Sequence, residues 1–196
     1  MKKIILVAAP PACGKNYVCD KIASSLSSAV YIDKDDFSVF VDKIFSLTKE
    51  KPNRDGEFFI NEVRPLEYEA IKTLALSAIK YSDTVILNAP FLKEVREGDY
   101  IRKFKMAANE NGADLILVWV YVKNKETLYS RMKKRAAARD EWKLQNFDEY
   151  VKTIDFSTPT RLIDGKEVDG LFVFENGDDK ACEESLKSLL KILREE

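Results

Sequence analysis

Short apolar runs alternate along the whole chain with longer stretches whose apolar residues recur every three or four positions. The runs at 4–8, 29–32, 84–87, 115–122 and 171–174 are apolar on successive residues, the pattern of strands buried on both faces. Between them, 15–26 places Val18, Ile22 and Leu26 four apart on one helical face. Helical patterns follow at 37–47, from the end of a polar loop at 49–56 to residue 80, at 97–109, at 126–154 and at 180–194. Pro65 reads as a first-turn residue, Gly112 as a helix stop, and the stretch 126–154 as a helix broken near 141–146. Parallel neighbouring strands need crossover connections, so this alternation predicts an α/β fold in three layers around a five-stranded parallel sheet. Ligands of such sheets gather beyond the carboxyl ends of the strands, which directs attention to 9–16, 33–36, 88–91, 123–125 and 175–178.

Composition narrows the chemistry. With 196 residues, 45% hydrophobic and a formal net charge of -1, the chain can fill a core without disulfides or metal, and no linker or repeat divides 1–196, so a single unit is expected. The near-neutral balance offers no general attraction to nucleic acid or to an anionic membrane. The longest apolar run is the eight residues 115–122, against the roughly 20 that cross a bilayer, and the apolar stretch 4–9 before Pro10 and Pro11 is short for a secretory signal. Cys13, Cys19 and Cys182 form no C-x-x-C pair, which fits a reducing, cytoplasmic setting. The chain has no histidine, so acid-base work falls to carboxylates, Lys, Tyr or Cys.

The strongest motif follows the first strand: Ala9, Pro10, Pro11, Ala12, Cys13, Gly14, Lys15 and Asn16, with Tyr17 next. Against G-x-x-x-x-G-K-[ST] it keeps Gly14 and Lys15 at the right spacing between a strand and a helix, where loop N–H groups and the helix N-terminus surround phosphates and the lysine reaches the β and γ oxygens. The bland alternative is an ordinary βα turn with an incidental lysine. Ala9 replaces the first glycine, and Asn16 stands where a Ser or Thr hydroxyl ordinarily ligates Mg²⁺. Cys13, beside a helix N-terminus, is either a thiol of lowered pKa or a small residue that fits the loop.

After the second strand come Asp33, Asp35 and Asp36, three carboxylates in four positions whose repulsion requires compensation by Mg²⁺ or Lys15. An Asp helix cap would explain one of them. In phosphoryl transfer without histidine, one such carboxylate accepts the proton of an attacking hydroxyl while another fixes water on the metal. The third strand ends in Asn88 and Ala89, without a carboxylate. Between 123 and 143 there are eight Lys or Arg against three Asp or Glu, and Arg131, Arg135 and Arg139 lie four apart on one helical face. That face is either solvated or part of a site. Asn176 opens an Asn-Gly pair that also reads as a plain turn.

The opening strand and loop, KKIILVAAPPACGKN, followed by YIDKDDF, resemble the P-loop kinases related to polynucleotide kinase, zeta toxin and other small-molecule phosphotransferases. The resemblance implies an ATP-binding P-loop domain of the nucleoside triphosphate hydrolase fold with a helical lid at about 123–145. In that group the basic-Asp-Asp element ending the second strand supplies the general base, which maps to Asp35, with Asp33 and Asp36 in metal or substrate positioning. The arginine-rich lid maps to Arg131 and Arg135, then Arg139, and the adenine contact to the region of Asn176. Asn16, Asp33 and Asp35 become the Mg²⁺ set, although Asn16 and Asn88 both depart from the usual pattern. Arg64 lies in the acceptor region, as an anion clamp or as a surface salt bridge. The resemblance implies ATP and Mg²⁺ as cofactors and a kinase acting on a hydroxyl of a small molecule or nucleoside. Nucleic acid is the less favoured acceptor, there is no membrane partner, and the assembly is a monomer or homodimer. The alternatives are a nucleotide-binding switch with weak or no catalysis and a 5′-hydroxyl polynucleotide kinase.

Overall fold

The computed structural model describes residues 2–136, 140–159, 162, 163, 166, 167 and 170–194. In chain order, β1 (Lys2–Ala8) leads to α1 (Lys15–Ser24), β2 (Val30–Asp33), α2 (Ser38–Thr48), α3 (Arg64–Ala78), β3 (Thr84–Asn88), α4 (Gly98–Glu110) and β4 (Ala113–Tyr121). Three short helices follow, α5 (Lys125–Arg135), α6 (Glu141–Gln145) and α7 (Phe147–Lys152). A small antiparallel pair, β5 (Leu162–Ile163) and β6 (Lys166–Glu167), precedes β7 (Leu171–Glu175) and α8 (Asp179–Arg194).

Five strands pair in parallel in the order β2-β3-β1-β4-β7. The period of two divides β1 between the two layers. Ile4, Leu6 and Ala8 enter a core with Ile71 and Ala75 of α3 and Phe104 of α4, while Ile5 and Val7 enter one with Val18 and Ile22 of α1 and Leu189 of α8. All of these residues are essentially inaccessible to water, which is why β1 reads as an unbroken apolar run. Each of the five sequence-predicted strands is present in the sheet.

The sheet order positions the site. β3 lies between β1 and β2, so the loop after β1, the carboxylates after β2 and the last residue of β3 meet at one carboxyl edge.

Two elements differ from the sequence pattern. The basic stretch breaks between α6 and α7, at the end of the expected 141–146, but it also breaks earlier at Ala136, where a left-handed residue with φ 48° terminates α5. Pro65 does sit in the first turn of α3, but a π turn at Phe59–Val63 runs directly into that helix, with Arg64 N donating to Phe59 O. Proline has no N–H and its ring crowds the preceding turn, and a wider turn relieves that crowding. Met132, Tyr150 and Val151 of the helices after β4 pack together, and Ala12 of the phosphate loop packs against them.

Candidate active site

The loop after β1 is built by two left-handed residues, Ala12 at φ 64° and Gly14 at φ 82°. Such turns aim successive N–H groups to one side, the way anion-binding backbone nests are made. Pro10 and Pro11 contribute no N–H, and Cys13 N is spent on Pro10 O at 3.4 Å. The donors left for an anion are therefore concentrated at the start of α1, whose first-turn N–H groups have no intrahelical acceptor. Ala9 N donates to Pro90 O at 3.3 Å, fastening the loop to the segment after β3.

Lys15 Nζ donates to Asn88 Oδ1 and stands 3.2 Å from Asn16 Oδ1. Burial lowers the lysine pKa, and the nearby Cys19, Asp33 and Asp35 work in the opposite direction. A partly desolvated ammonium at the mouth of the loop attracts phosphate oxygens more strongly than one in bulk water. Asn88 is wholly buried, and its amide nitrogen donates to Asp33 Oδ2 and to Tyr31 Oη at 2.7 Å.

Asp33 also caps the turn that follows β2, accepting from Asp35 N at 2.8 Å. This accounts for one carboxylate of the trio in the way a helix cap does. Asp35 is exposed and lies 3.2 Å from Lys34 Nζ. Partial desolvation by its neighbours alone would raise the carboxyl pKa, but the charge and hydrogen bond of Lys34, with Lys15 and Arg54 behind, hold it below the ordinary range. Asp36 is exposed on the same turn. Lys34 is itself buried, on Glu67 of α3 at 3.3 Å, and Arg54 stands 3.5 Å from the same carboxylate. The sequence pattern did not single out Lys34, Arg54 or Glu67; the only local signal was a lysine embedded among aspartates.

The arginines that the sequence places on one helical face separate. Arg131 Nη1 donates to Cys13 O at 3.4 Å, and Asn176 Nδ2 donates to the same carbonyl at 2.8 Å, so both converge on the phosphate loop. Arg135 instead pairs with Asp140, at 2.8 Å from Nε and 2.6 Å from Nη2 to one carboxylate oxygen. Asp140 has no solvent exposure, and its other oxygen has no partner among the described residues. Arg139 lies outside the described residues. Tyr17 is exposed on α1 with Lys21 over its ring at 5.4 Å.

Arg64 forms an ion pair rather than presenting a free cation: its Nη2 is 2.8 Å from Glu94 Oε1 and 3.0 Å from Oε2, above the Tyr68 ring at 4.4 Å. Glu94 is buried, so this pair is an interior one and not a surface bridge. Of the two readings of Cys13, the small residue that fits the loop agrees with its complete burial. Burial raises its pKa to about 12, outweighing the nearby Arg131, so the thiol is a small apolar residue of the loop.

The side chains present suit a nucleotide carried with a divalent cation. Among the described residues no group of three or more His, Cys, Asp or Glu forms a metal cluster. Mg²⁺ in phosphate sites ordinarily takes one or two protein carboxylates, with phosphates and water filling its other positions. Asp33 and Asp35 beside Lys15 are a donor set of that size.

No protein-family model and no curated protein sequence matches the chain. Solved structures do match it. A gluconokinase from Sinorhizobium meliloti 1021 aligns over 97% of this chain and 93% of its own, with a TM-score of 0.58 at 16% identity. The APS kinase of Mycobacterium tuberculosis, solved with AMPPNP and APS, aligns over 99% and 98% with a TM-score of 0.52 at 13% identity. A fungal RNA kinase aligns over 98% and 84% with a TM-score of 0.58 at 15% identity. The chain shares the fold of these solved structures. The five-stranded parallel sheet with helices on both faces agrees with the architecture expected from the sequence. Among the described residues no helix is long and apolar enough to cross a membrane.

Proposed function

We propose that this protein is an ATP-dependent kinase that transfers the γ-phosphoryl group to a hydroxyl of a small molecule or nucleoside. The observation that carries the reading is Lys15, seated after a left-handed Gly14 at the sheet edge, with Asp33 and Asp35 on one side and Arg131 and Asn176 converging on the loop from the other. The loop N–H groups and Lys15 bind the phosphates. Asp35 accepts the proton of the acceptor hydroxyl as its oxygen bonds to the γ-phosphorus and the bond to the β-bridging oxygen breaks, releasing ADP. Arg131 offsets charge on the transferred group, and Arg135 joins it on leaving Asp140. Asn16, Asp33 and Asp35 are the side chains that would hold Mg²⁺ carried with the nucleotide, which would supply charge neutralisation at the phosphates. Asp36 and Arg64 belong to the acceptor side, and Arg139 is assigned with the lid. The domain is a single unit with a lid at about 123–145, and the near-neutral charge favours a small acceptor over nucleic acid.

The test is thermal unfolding with ATP, ADP and GTP, with and without Mg²⁺, followed by an acceptor screen. Ligand at about 100 times Kd stabilises the fold by about 2.7 kcal/mol, a rise of several degrees. Asp35→Asn keeps the ATP-induced rise and loses transfer; turnover retained in that variant overturns the assignment of the base. One observation favours a second reading, a nucleotide-binding switch: neutral amides stand at both Asn16 and Asn88. A nucleotide-induced rise indifferent to Mg²⁺, with no acceptor found, selects the switch.

A further inference from the structure

Among the described residues Asn88 bonds to both charged sides of the site, Lys15 and Asp33, and a carboxylate at the end of the third strand would alter that arrangement. We infer that Asn88 is a positioning residue that keeps Lys15 and Asp33 apart, so that the lysine stays available to phosphate and the aspartate to a cation. This inference rests on the nucleotide-binding reading proposed above.

An asparagine side chain offers an acceptor at one end and two donors at the other. Here the acceptor takes Lys15 Nζ, and the two donors take Asp33 Oδ2 and Tyr31 Oη. Both N–H donors and one acceptor position of the oxygen are thereby used, and the residue is completely buried. The amide cannot turn over, because reversal would set its nitrogen against the Lys15 ammonium and its oxygen against the Asp33 carboxylate. It is thus held in one orientation, with its dipole bridging a cation and an anion that carry opposite charge across a partly desolvated edge.

Two consequences distinguish this from a merely structural asparagine. A lysine resting on a neutral amide exchanges it for a phosphate oxygen without surrendering an ion pair. Removing the amide lets Lys15 close directly on Asp33, and replacing it by a carboxylate gives the lysine a full negative partner while placing two carboxylates side by side. Both changes penalise binding of the free nucleotide. Only the second adds an anion that a divalent cation can use.

The experiment is calorimetric titration of the full chain with ATP, once in EDTA and once with Mg²⁺, for the unaltered protein, Asn88→Ala and Asn88→Asp. Both variants are expected to weaken metal-free ATP binding by about tenfold or more, the scale of one charged hydrogen bond in a partly buried site. Asn88→Asp is also expected to widen the ratio of metal-free to Mg²⁺ dissociation constants by about tenfold relative to the unaltered protein, whereas Asn88→Ala is not. A structural role alone would lower the melting temperature and leave both dissociation constants within about twofold, inside one RT of free energy. That result overturns the inference while leaving nucleotide binding intact. An unaltered protein that binds no ATP under either condition overturns the proposed function and this inference with it. If Asn88→Asp does not fold, the metal-free constant of Asn88→Ala decides: unchanged affinity overturns the inference and a tenfold loss supports it.

Discussion

Asn176 and Cys13 are 163 positions apart in sequence, and the asparagine amide donates to the cysteine carbonyl at 2.8 Å. That bond ties the end of β7 to the phosphate loop across the sheet's carboxyl edge, and it confines the space above Gly14.

Gly14 is needed for two reasons at this point: its φ of 82° lies in the left-handed region, and a Cβ there would collide with the Asn176 amide nitrogen. Gly14→Ala is expected to destabilise the fold by about 1–3 kcal/mol, the range for a strained left-handed residue, and to abolish the nucleotide-induced rise in melting temperature. Urea unfolding and thermal scans with ATP check the two parts separately.

Lys34 and Glu67 form a buried ion pair in which Arg54 is a second, half-exposed partner. Lys34→Met leaves the carboxylate under-compensated and is expected to cost about 3 kcal/mol, at the lower end of the range for breaking a buried pair. Lys34→Met combined with Glu67→Leu removes both charges and is expected to restore most of that loss, as read from urea midpoints.

Arg135→Ala leaves the fully buried Asp140 without its ion-pair partner and is expected to lower stability by about 3 kcal/mol. Arg131→Ala removes one of two donors to the Cys13 carbonyl, which keeps its bond from Asn176, and is expected to lower turnover by about 10²–10³ with little change in melting temperature. Comparing unfolding and transfer rates in the two variants separates an arginine held by the carboxylate that precedes α6 from one already directed at the loop after β1.

Cys13 and Cys19 are both raised by burial from 9.0 to about 12. The folded state therefore holds these two protons where the unfolded chain releases them. Their contribution to stability is complete below pH 9 and is lost as pH rises from 9 toward 12. At pH 8 both thiols are expected to resist iodoacetamide in the folded protein and to react promptly in denaturant, which mass spectrometry of timed aliquots measures.

The strands and the phosphate loop were legible because their signals are local. An unbroken apolar run such as Leu115, Ile116, Leu117 and Val118 declares a strand covered on both faces, and Gly14-Lys15 between a strand and a helix declares its loop. The break of the basic stretch at Ala136 was not legible, because an alanine in the left-handed region carries no compositional mark. Nor was the fate of Arg64 or Arg135. A helical spacing states which arginines share a face, but the carboxylate that claims each one, Glu94 or Asp140, is chosen by packing.

Sequence alone determined the element types, their order and the loop around Lys15, since propensity and periodicity act over a few residues. Only the tertiary structure decided what surrounds that lysine. Inserting β3 between β1 and β2 brings Asn88 onto Lys15, 73 positions away, and onto Asp33, 55 positions away. Strand order is set by burying helix faces on both sides of a sheet, a property of the whole chain that no single segment encodes.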